Sequence, residues 1–286
     1  MIASIPDSLD LEKILTVARD AALEAGKVLA EGYAQPKSIR YKGEIDLVTQ
    51  YDLASEKIIL TRLKSSFPDH EILAEESGLE GPKSPNRWYI DPLDGTTNFA
   101  HGFPVFCVSI AFEAETDSGP QVLAGVIFDP LRQELFTAVR GGGAYLNDNP
   151  IEVSKESDLR RALTATGFPY NIREQPEPVL SRFRQMVLQA QGVRRPGSAA
   201  LDLAYIACGR LDGFWEQNLH PWDTAAGALL VEEAGGRVTD FSFRPFRPDF
   251  KEILATNGHL HYTMHHILGK DHNDPPIDQP LYKEEG

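Results

Sequence analysis

Asp91-Pro92-Leu93-Asp94-Gly95-Thr96 sets two carboxylates three residues apart, directly after the apolar triplet Trp88-Tyr89-Ile90. That order reads as a strand ending in a tight turn, with Gly95-Thr96 opening the next element. Pro92 fixes one backbone angle, and Gly95 lets the chain pass close to a ligand. Two carboxylates converging at one turn repel each other unless a cation lies between them. A hard divalent ion such as Mg²⁺ suits an all-oxygen site of this kind, completed by substrate phosphate and water. Alone, the segment is equally a solvated acidic turn, since Asp and Gly are ordinary turn residues. Two further clusters favour the metal. Glu75-Glu76-Ser77 follows Glu71-Ile72-Leu73-Ala74, a stretch suited to a strand whose end delivers a carboxylate. Trp222-Asp223 opens an apolar segment, Ala225 to Val231, that closes at Gly235-Gly236. Asp223 then falls in a first helical turn, where the helix dipole favours an anion.

The elements that must position these residues alternate along the chain. Leu11, Ile14, Leu15, Ala18, Ala22, Ala25, Val28 and Leu29 recur at helical spacing, so residues 10–33 are expected to form an amphipathic helix. Ala54, Ile58, Ile59 and Leu63 mark a second helix, with Asp52 near its start. Strand-like runs follow at Phe106–Phe112, Val122–Phe128 and Glu134–Val139. The second half alternates Leu163–Thr166, a helix over 178–190, a helix from Ser198 to Cys208, the Asp223 helix, and strands at 237–241 and 253–256. Strands clustered early and alternation later suggest two subdomains sharing one interface. The expected division is residues 1–155, of α+β type with the metal-binding motifs, and residues 156–268, of α/β type with the substrate-binding residues. The polar tail 269–286 is expected to be disordered.

Composition bounds the function. A chain of 286 residues buries one large core or two packed halves. A net charge of −14 argues against a nucleic-acid partner, which needs a basic face, and an acidic protein that handles an anionic substrate must import cations. Cys107 and Cys208 sit among apolar neighbours and read as buried free thiols of a reducing compartment. Asp7, Asp10 and Glu12 precede any apolar run, so no secretory signal is expected. No stretch approaches the roughly 18 apolar residues of a membrane span, which makes the cytoplasm the default location.

Taken together, the motifs resemble those of the inositol monophosphatase family, within the lithium-sensitive, Mg²⁺-dependent phosphatases. The pattern is Asp52, then Glu75-Glu76, then Asp91-Pro92-Leu93-Asp94-Gly95-Thr96, then Trp222-Asp223 with eleven residues before Gly235-Gly236. The resemblance runs from about residue 10 to about residue 268 and implies a layered αβαβα sandwich of the sugar-phosphatase type. It implies that Glu75, Asp91 and the Leu93 carbonyl hold one Mg²⁺, that Asp91, Asp94 and Asp223 hold a second, and that a third, weaker ion binds near Glu75. Asp52 and Thr96 match the pair that orients and deprotonates the attacking water, with Glu75 beside it. Phosphate is expected over the Gly95 and Thr96 N–H groups. Gly197, Ser198, Ala199 and Glu216 match positions that contact inositol hydroxyls, and Asp94 is expected to touch a hydroxyl beside the ester. Lys42, Gly43 and Glu44 resemble a mobile flap that closes over phosphate and excludes water. The expected substrate is a small phosphate monoester and the expected assembly a homodimer.

Residue types narrow the substrate further. Relatives that cleave nucleotide 3′-phosphates tend to place Lys after the Asp-Gly-Thr triplet, and fructose-bisphosphatases tend to place Ser-Ser there. This chain has Thr97-Asn98-Phe99. Trp222 is present where histidinol-phosphate enzymes often replace it. These comparisons favour inositol 1-phosphate and leave open histidinol phosphate, fructose 1,6-bisphosphate or a non-catalytic regulatory protein on the same fold. Ser198 is also read as a helix N-cap, and Glu216 as a surface charge. Phe168-Pro169 occupies a region that is polar in animal relatives, which leaves the hydroxyl contact there open. His261, His265 and His266 have zinc-like spacing without an accompanying carboxylate or Cys, and read as a solvated helix face. Arg194-Arg195 reads as a subunit contact or local ion pair.

Overall fold

The computed structural model describes residues 9–41 and 47–269. The flap residues Lys42, Gly43 and Glu44, and the tail beyond Gly269, lie outside the described residues. α1 (Leu11–Tyr33) begins where the Asp10 carboxylate accepts the Lys13 N–H at 2.9 Å, satisfying a donor that has no partner within the helix. Its buried face of Ile14, Ala18, Ala22, Ala25 and Leu29 follows the expected periodicity. β1 (Ile39–Tyr41) and β2 (Leu47–Thr49) form an antiparallel ribbon that leads into α2 (Gln50–Ser66). Thr49 and Asp52 make a reciprocal capping box at the start of α2, so the same contact that starts the helix orients the Asp52 carboxylate.

The first sheet is formed by β3 (Glu71–Ala74), β4 (Gly78–Glu80), β5 (Asn86–Asp94), β6 (Cys107–Thr116), β7 (Gly119–Asp129), β8 (Glu134–Val139), β9 (Gly143–Leu146) and β10 (Asn149–Pro150). Its eight strands run in the order β10-β9-β8-β7-β6-β5-β3-β4, and β3 with β5 is its one parallel pair among the described residues. α3 (Thr96–His101) leaves the end of β5. The chain then crosses to a second sheet built from β11 (Leu163–Thr166), β12 (Gly192–Arg194), β13 (Gly213–Gln217), β14 (Arg237–Thr239) and β15 (Glu252–Thr256), in the order β12-β11-β13-β15-β14. Between these strands run α4 (Val179–Val187), α5 (Ala199–Ala207) and α6 (Pro221–Glu233), and α7 (His261–Leu268) follows β15.

The layers follow from which faces are apolar. α1 and α2 cover one face of the first sheet, with Ile14, Leu29, Ile59 and Leu63 packed on Trp88, Ile90 and Phe112. α5 and α6 fill the space between the two sheets, and α4 and α7 cover the outer face of the second. The result is the expected αβαβα sandwich. The middle helices are apolar nearly all round because both their sides are buried, as in Ala225 through Val231. β6 and β7 likewise bury consecutive residues where both sheet faces are covered, which erases the alternation of a half-exposed strand.

Several expectations need correction. The Asp91–Asp94 segment is not a turn after the strand: β5 continues through Asp94, and its pairing with β6 shifts register between Asp91 and Asp94. That irregularity re-aims the side chains without ending the strand. Cys107 is buried, but Cys208 is only half-buried. The histidines do not form a solvated face. His266 is exposed, but His261 is 1% exposed, with Nε2 2.9 Å from Thr239 Oγ1 and Nδ1 2.9 Å from Thr256 Oγ1. Thr239 Oγ1 also donates to the Asp240 carbonyl, and Thr256 Oγ1 accepts the Gly258 N–H, so a neutral imidazole with its proton on Nε2 satisfies every partner.

Burial, with the nearby Arg237 and His265, pushes His261 from 6.5 down to about 3. Between those values the unfolded chain binds a proton that the folded chain refuses, so stability falls as pH drops through that window. The loss is at most one proton, about 1.4 kcal/mol per pH unit. Urea unfolding at pH 7, 6, 5 and 4 is expected to show a steeper acid loss for the wild type than for His261→Gln. Parallel pH dependences would remove His261 from the acid response.

Candidate active site

β3, β5, α5 and α6 converge on one cleft, and each brings a carboxylate or a donor to it. Glu75 follows β3, where its N–H donates to the Ile90 carbonyl at 3.1 Å and ties it to the neighbouring strand. Glu76 is held separately, its N–H donating to the buried Glu56 carboxylate at 2.9 Å. Asp91 is buried in β5 and accepts the Leu93 N–H on Oδ1 at 2.9 Å. Ser55 on α2 donates to the Pro92 carbonyl at 2.7 Å, anchoring this strand end to the capping helix. Asp223 lies in the first turn of α6, where its Oδ2 accepts the His220 N–H at 2.7 Å.

Asp94 is gripped from the second half of the chain. Its Oδ2 accepts from Ser198 Oγ and from the Ala200 N–H, both at 2.7 Å. Ser198 is also the N-cap of α5, its Oγ accepting the Leu201 N–H at 3.4 Å. One hydroxyl therefore starts the helix and fixes Asp94. Gly197 precedes it at φ 89°, a left-handed conformation that a side chain would strain. Ala199 begins α5, and the cleft receives the N-terminal ends of both α5 and α6.

The electrostatics follow from this convergence. Burial, then Glu75, Asp94 and Asp223, drive the Asp91 carboxyl well above its usual range. Burial and Asp223 push Asp94 up to about 7 against the hydrogen bonds from α5. Burial and Asp223 also raise Glu216 to about 8, with Arg195 opposing. Asp202 on α5 is buried, its Oδ1 has no hydrogen-bond partner among the described residues, and burial holds its carboxyl well above the usual range. These groups strain against ionising together without a cation. Among the described residues, no three His, Cys, Asp or Glu side chains stand ready-made at metal-bonding distance of one point.

Thr96 stands at the start of α3, with Gly95 before it at φ 97°. A Cβ on Gly95 would meet the Val105 carbonyl at 2.8 Å, so the position demands glycine on both counts. Thr96 Oγ1 lies 2.9 Å from Asp52 Oδ1 and 3.0 Å from the Leu93 carbonyl. Asp52 Oδ2 accepts the Thr49 N–H at 2.8 Å and the Thr49 hydroxyl at 2.5 Å. Burial raises Asp52 above its usual range, opposed by the Thr49 and Thr96 hydrogen bonds. Asp52, Thr49 and Thr96 form one chain of hydrogen bonds ending beside the carboxylates.

Of the expected positions, Glu75, Asp94 and Asp223 are near enough to act on Asp91, Thr96 meets Asp52, Ser198 meets Asp94, and Glu216 on β13 feels the charges of Asp223 and Asp94. Arg195 places its guanidinium 5.7 Å from the Phe168 ring centroid, so Phe168 and Arg195 lie together, and its charge acts on Glu216. The sequence reading leaves Asn98 without a structural task. Its Nδ2 lies 2.8 Å from both the Val105 and Pro196 carbonyls, clasping α3 to the loop that carries Gly197 and Ser198. An Asn immediately beyond a short helix start is a weak signal, because nothing in the sequence brings Pro196 near it.

A family model described as the inositol monophosphatase family matches residues 10–272. The chain is 46% identical over 261 residues to a protein of Synechocystis named inositol-1-monophosphatase, covering 91% of this chain and 90% of that one. It is 44% identical over 235 residues to the Escherichia coli protein named Nus factor SuhB, covering 81% of this chain and 86% of that one. A solved structure described as inositol monophosphatase from Anabaena (Nostoc) matches with a TM-score of 0.82 at 43% identity, over 94% of this chain and 99% of that one. Motif order, layered fold and these matches agree: the chain belongs to the inositol monophosphatase family, a family of phosphatases.

Proposed function

We propose that the protein is a Mg²⁺-dependent phosphomonoesterase that hydrolyses inositol 1-phosphate to inositol and phosphate. The observation that carries this reading is the convergence of Asp91, Asp94, Asp223 and Glu75 beside the Thr96–Asp52 hydrogen bond. The donor set fits Mg²⁺. It is made of carboxylates and carbonyls, no described Lys or Arg pairs with Asp91, and Asp91 and Asp223 each leave one oxygen without a protein donor among the described residues. Glu75, Asp91 and the Leu93 carbonyl would hold one ion and Asp91, Asp94 and Asp223 the other. When bound, Mg²⁺ supplies Lewis-acid stabilisation to the phosphate oxygens and to the attacking water.

The chain's own residues then have distinct tasks. Thr96 donates to Asp52, which leaves its oxygen free to accept a hydrogen from water and orient it. Asp52, secured by Thr49, takes the proton through that hydroxyl as general base, a role that burial suits by raising its affinity for a proton. The Gly95 and Thr96 N–H groups receive a phosphate oxygen, and Asp94 reaches a hydroxyl beside the ester. Glu216, with Gly197, Ser198 and Ala199, faces the polyol, where a carboxylate accepts hydrogen bonds from ring hydroxyls. The unbroken carboxylate set argues against a purely regulatory protein that has lost its chemistry. A homodimer in the cytoplasm fits the reading, and no described helix is long and apolar enough to cross a membrane.

Purified protein is expected to release phosphate from inositol 1-phosphate with Mg²⁺ and to lose that activity in EDTA. Histidinol phosphate, fructose 1,6-bisphosphate and nucleotide 3′-phosphates are expected to be poorer substrates, and a higher kcat/KM on any of them would reassign the substrate. Asp91→Asn is expected to lower kcat by more than about 10³-fold, the scale of losing a principal electrostatic stabiliser. Thr96→Ala is expected to be severely slowed yet to bind Mg²⁺ with near wild-type affinity by calorimetry, and a joint loss of both would make Thr96 a structural residue only. Lithium at tens of millimolar is expected to inhibit uncompetitively with substrate. Full activity there places the protein in a resistant branch.

A further inference from the structure

We infer that Gly167 is a specificity-determining position, kept bare so that the Glu216 carboxylate can lie against the backbone and face the substrate. This rests on the role of Glu216 given under Proposed function. Gly167 follows the end of β11, and the parallel pairing of Thr166 with Trp215 brings it beside Glu216 on β13. A methyl group built on Gly167 would stand 2.1 Å from both Glu216 carboxylate oxygens and 2.2 Å from the carbon between them. Those are its three nearest heavy atoms, so Glu216 alone supplies the closest obstruction.

Conformation does not require glycine at this position. Gly167 lies outside the left-handed region that Gly95 and Gly197 occupy, so a positive φ is not what calls for glycine there. The need for glycine is steric, and it concerns one side chain.

That side chain has little else to hold it. Among the described residues no N–H or O–H donates to the Glu216 carboxylate, and Arg195 attracts it without forming an ion pair within 4 Å. Asp202, its buried neighbour in charge terms, repels it when ionised and makes no hydrogen bond to it among the described residues. Asp94 and Asp223 are each clamped by N–H donors, whereas Glu216 is held by packing and by the longer-range attraction of Arg195. Its oxygens therefore stay available to substrate hydroxyls, and its location depends on the gap left by the missing side chain. A flexible carboxylate end yields easily, so Gly167→Ala is expected to fold while swinging Glu216 out of the pocket.

The test is a double-mutant cycle on Gly167→Ala, Glu216→Ala and the double variant, assayed with inositol 1-phosphate and with 2-glycerophosphate, which has no ring hydroxyls. Glu216→Ala is expected to lower the ratio of kcat/KM for the two substrates by about 10- to 100-fold, the scale of one or two lost charge-assisted hydrogen bonds. Gly167→Ala is expected to lower the same ratio comparably, and the double variant is expected to match Glu216→Ala alone within about threefold, because both changes remove one interaction. A wild-type ratio in Gly167→Ala, or losses that multiply in the double variant, would overturn the inference while leaving Glu216 as a substrate contact. No change of ratio in Glu216→Ala would instead remove the reading of Glu216, and this inference with it. Thermal unfolding guards against a folding defect. If Gly167→Ala fails to fold alone but folds beside Glu216→Ala, the clash is demonstrated. Failure in both backgrounds would mean that something other than Glu216 excludes the methyl, which also overturns the inference.

Discussion

Mutual repulsion among the cleft carboxylates is the constraint on which this structure turns. Two unit charges about 4 Å apart repel by about 4 kcal/mol at an effective dielectric of about 20. A helix N-terminus returns only about 0.3–1 kcal/mol in a typical exposed setting. The N-terminal ends of α5 and α6 therefore ease the crowding of Asp91, Asp94 and Asp223 without cancelling it. What keeps these groups in place without a cation is covalent and hydrogen-bonded rigidity: β5 for Asp91, the capping box of α6 for Asp223, and Ser198 with Ala200 for Asp94. The fold holds the carboxylates together against their charge, and divalent cations are the partners that such an arrangement suits.

The way the helices begin carries much of this rigidity. Asp52, Asp223 and Ser198 each sit in or before a first turn, where unpaired N–H groups need an acceptor. In each case the group that serves the helix end also serves the cleft. Asp52 accepts the Thr49 N–H and meets Thr96. Asp223 accepts the His220 N–H and turns its other oxygen away from it. Ser198 caps α5 and donates to Asp94. Placing candidate catalytic groups at caps leaves their rotamers defined by the backbone, which is how a site stays ordered before any ligand arrives.

Much of this was legible in the sequence because the motifs are local. Asp91 to Thr96, Glu75-Glu76 and Trp222-Asp223 each carry their own geometry in a strand end or helix start, and the periodicity of α1 survives intact because one of its faces meets solvent. The misreadings share a physical cause, which is burial on more than one side. Asp91–Asp94 looks like a turn by composition, yet pairing with β6 keeps it in the sheet. The His261 helix looks polar, yet Thr239 and Thr256 from two strands satisfy both ring nitrogens and let the imidazole go inside. Asn98 bridging to Pro196, and Gly167 yielding space to Glu216, depend on contacts between segments distant in the chain. No local pattern encodes those contacts.

Asp94 joins the two halves of the site. It belongs to a strand of the first sheet, yet its two shortest hydrogen bonds come from the loop and helix that follow β12 in the second. Asn98 makes the same crossing in the opposite direction, from α3 to the Pro196 carbonyl. The first sheet thus carries most of the proposed metal ligands, while Gly167 just after β11, Glu216 on β13 and Ser198 at the cap of α5 belong to the second half. On the proposed reading, choice of substrate and attack on its phosphate rest on different elements, linked by hydrogen bonds at Asp94 and by the charge of Asp223. Changes at Gly167 or Glu216 leave the hydrogen bonds of Asp91, Asp94 and Asp223 in place, so on this reading substrate preference shifts while the proposed ligand set stays whole.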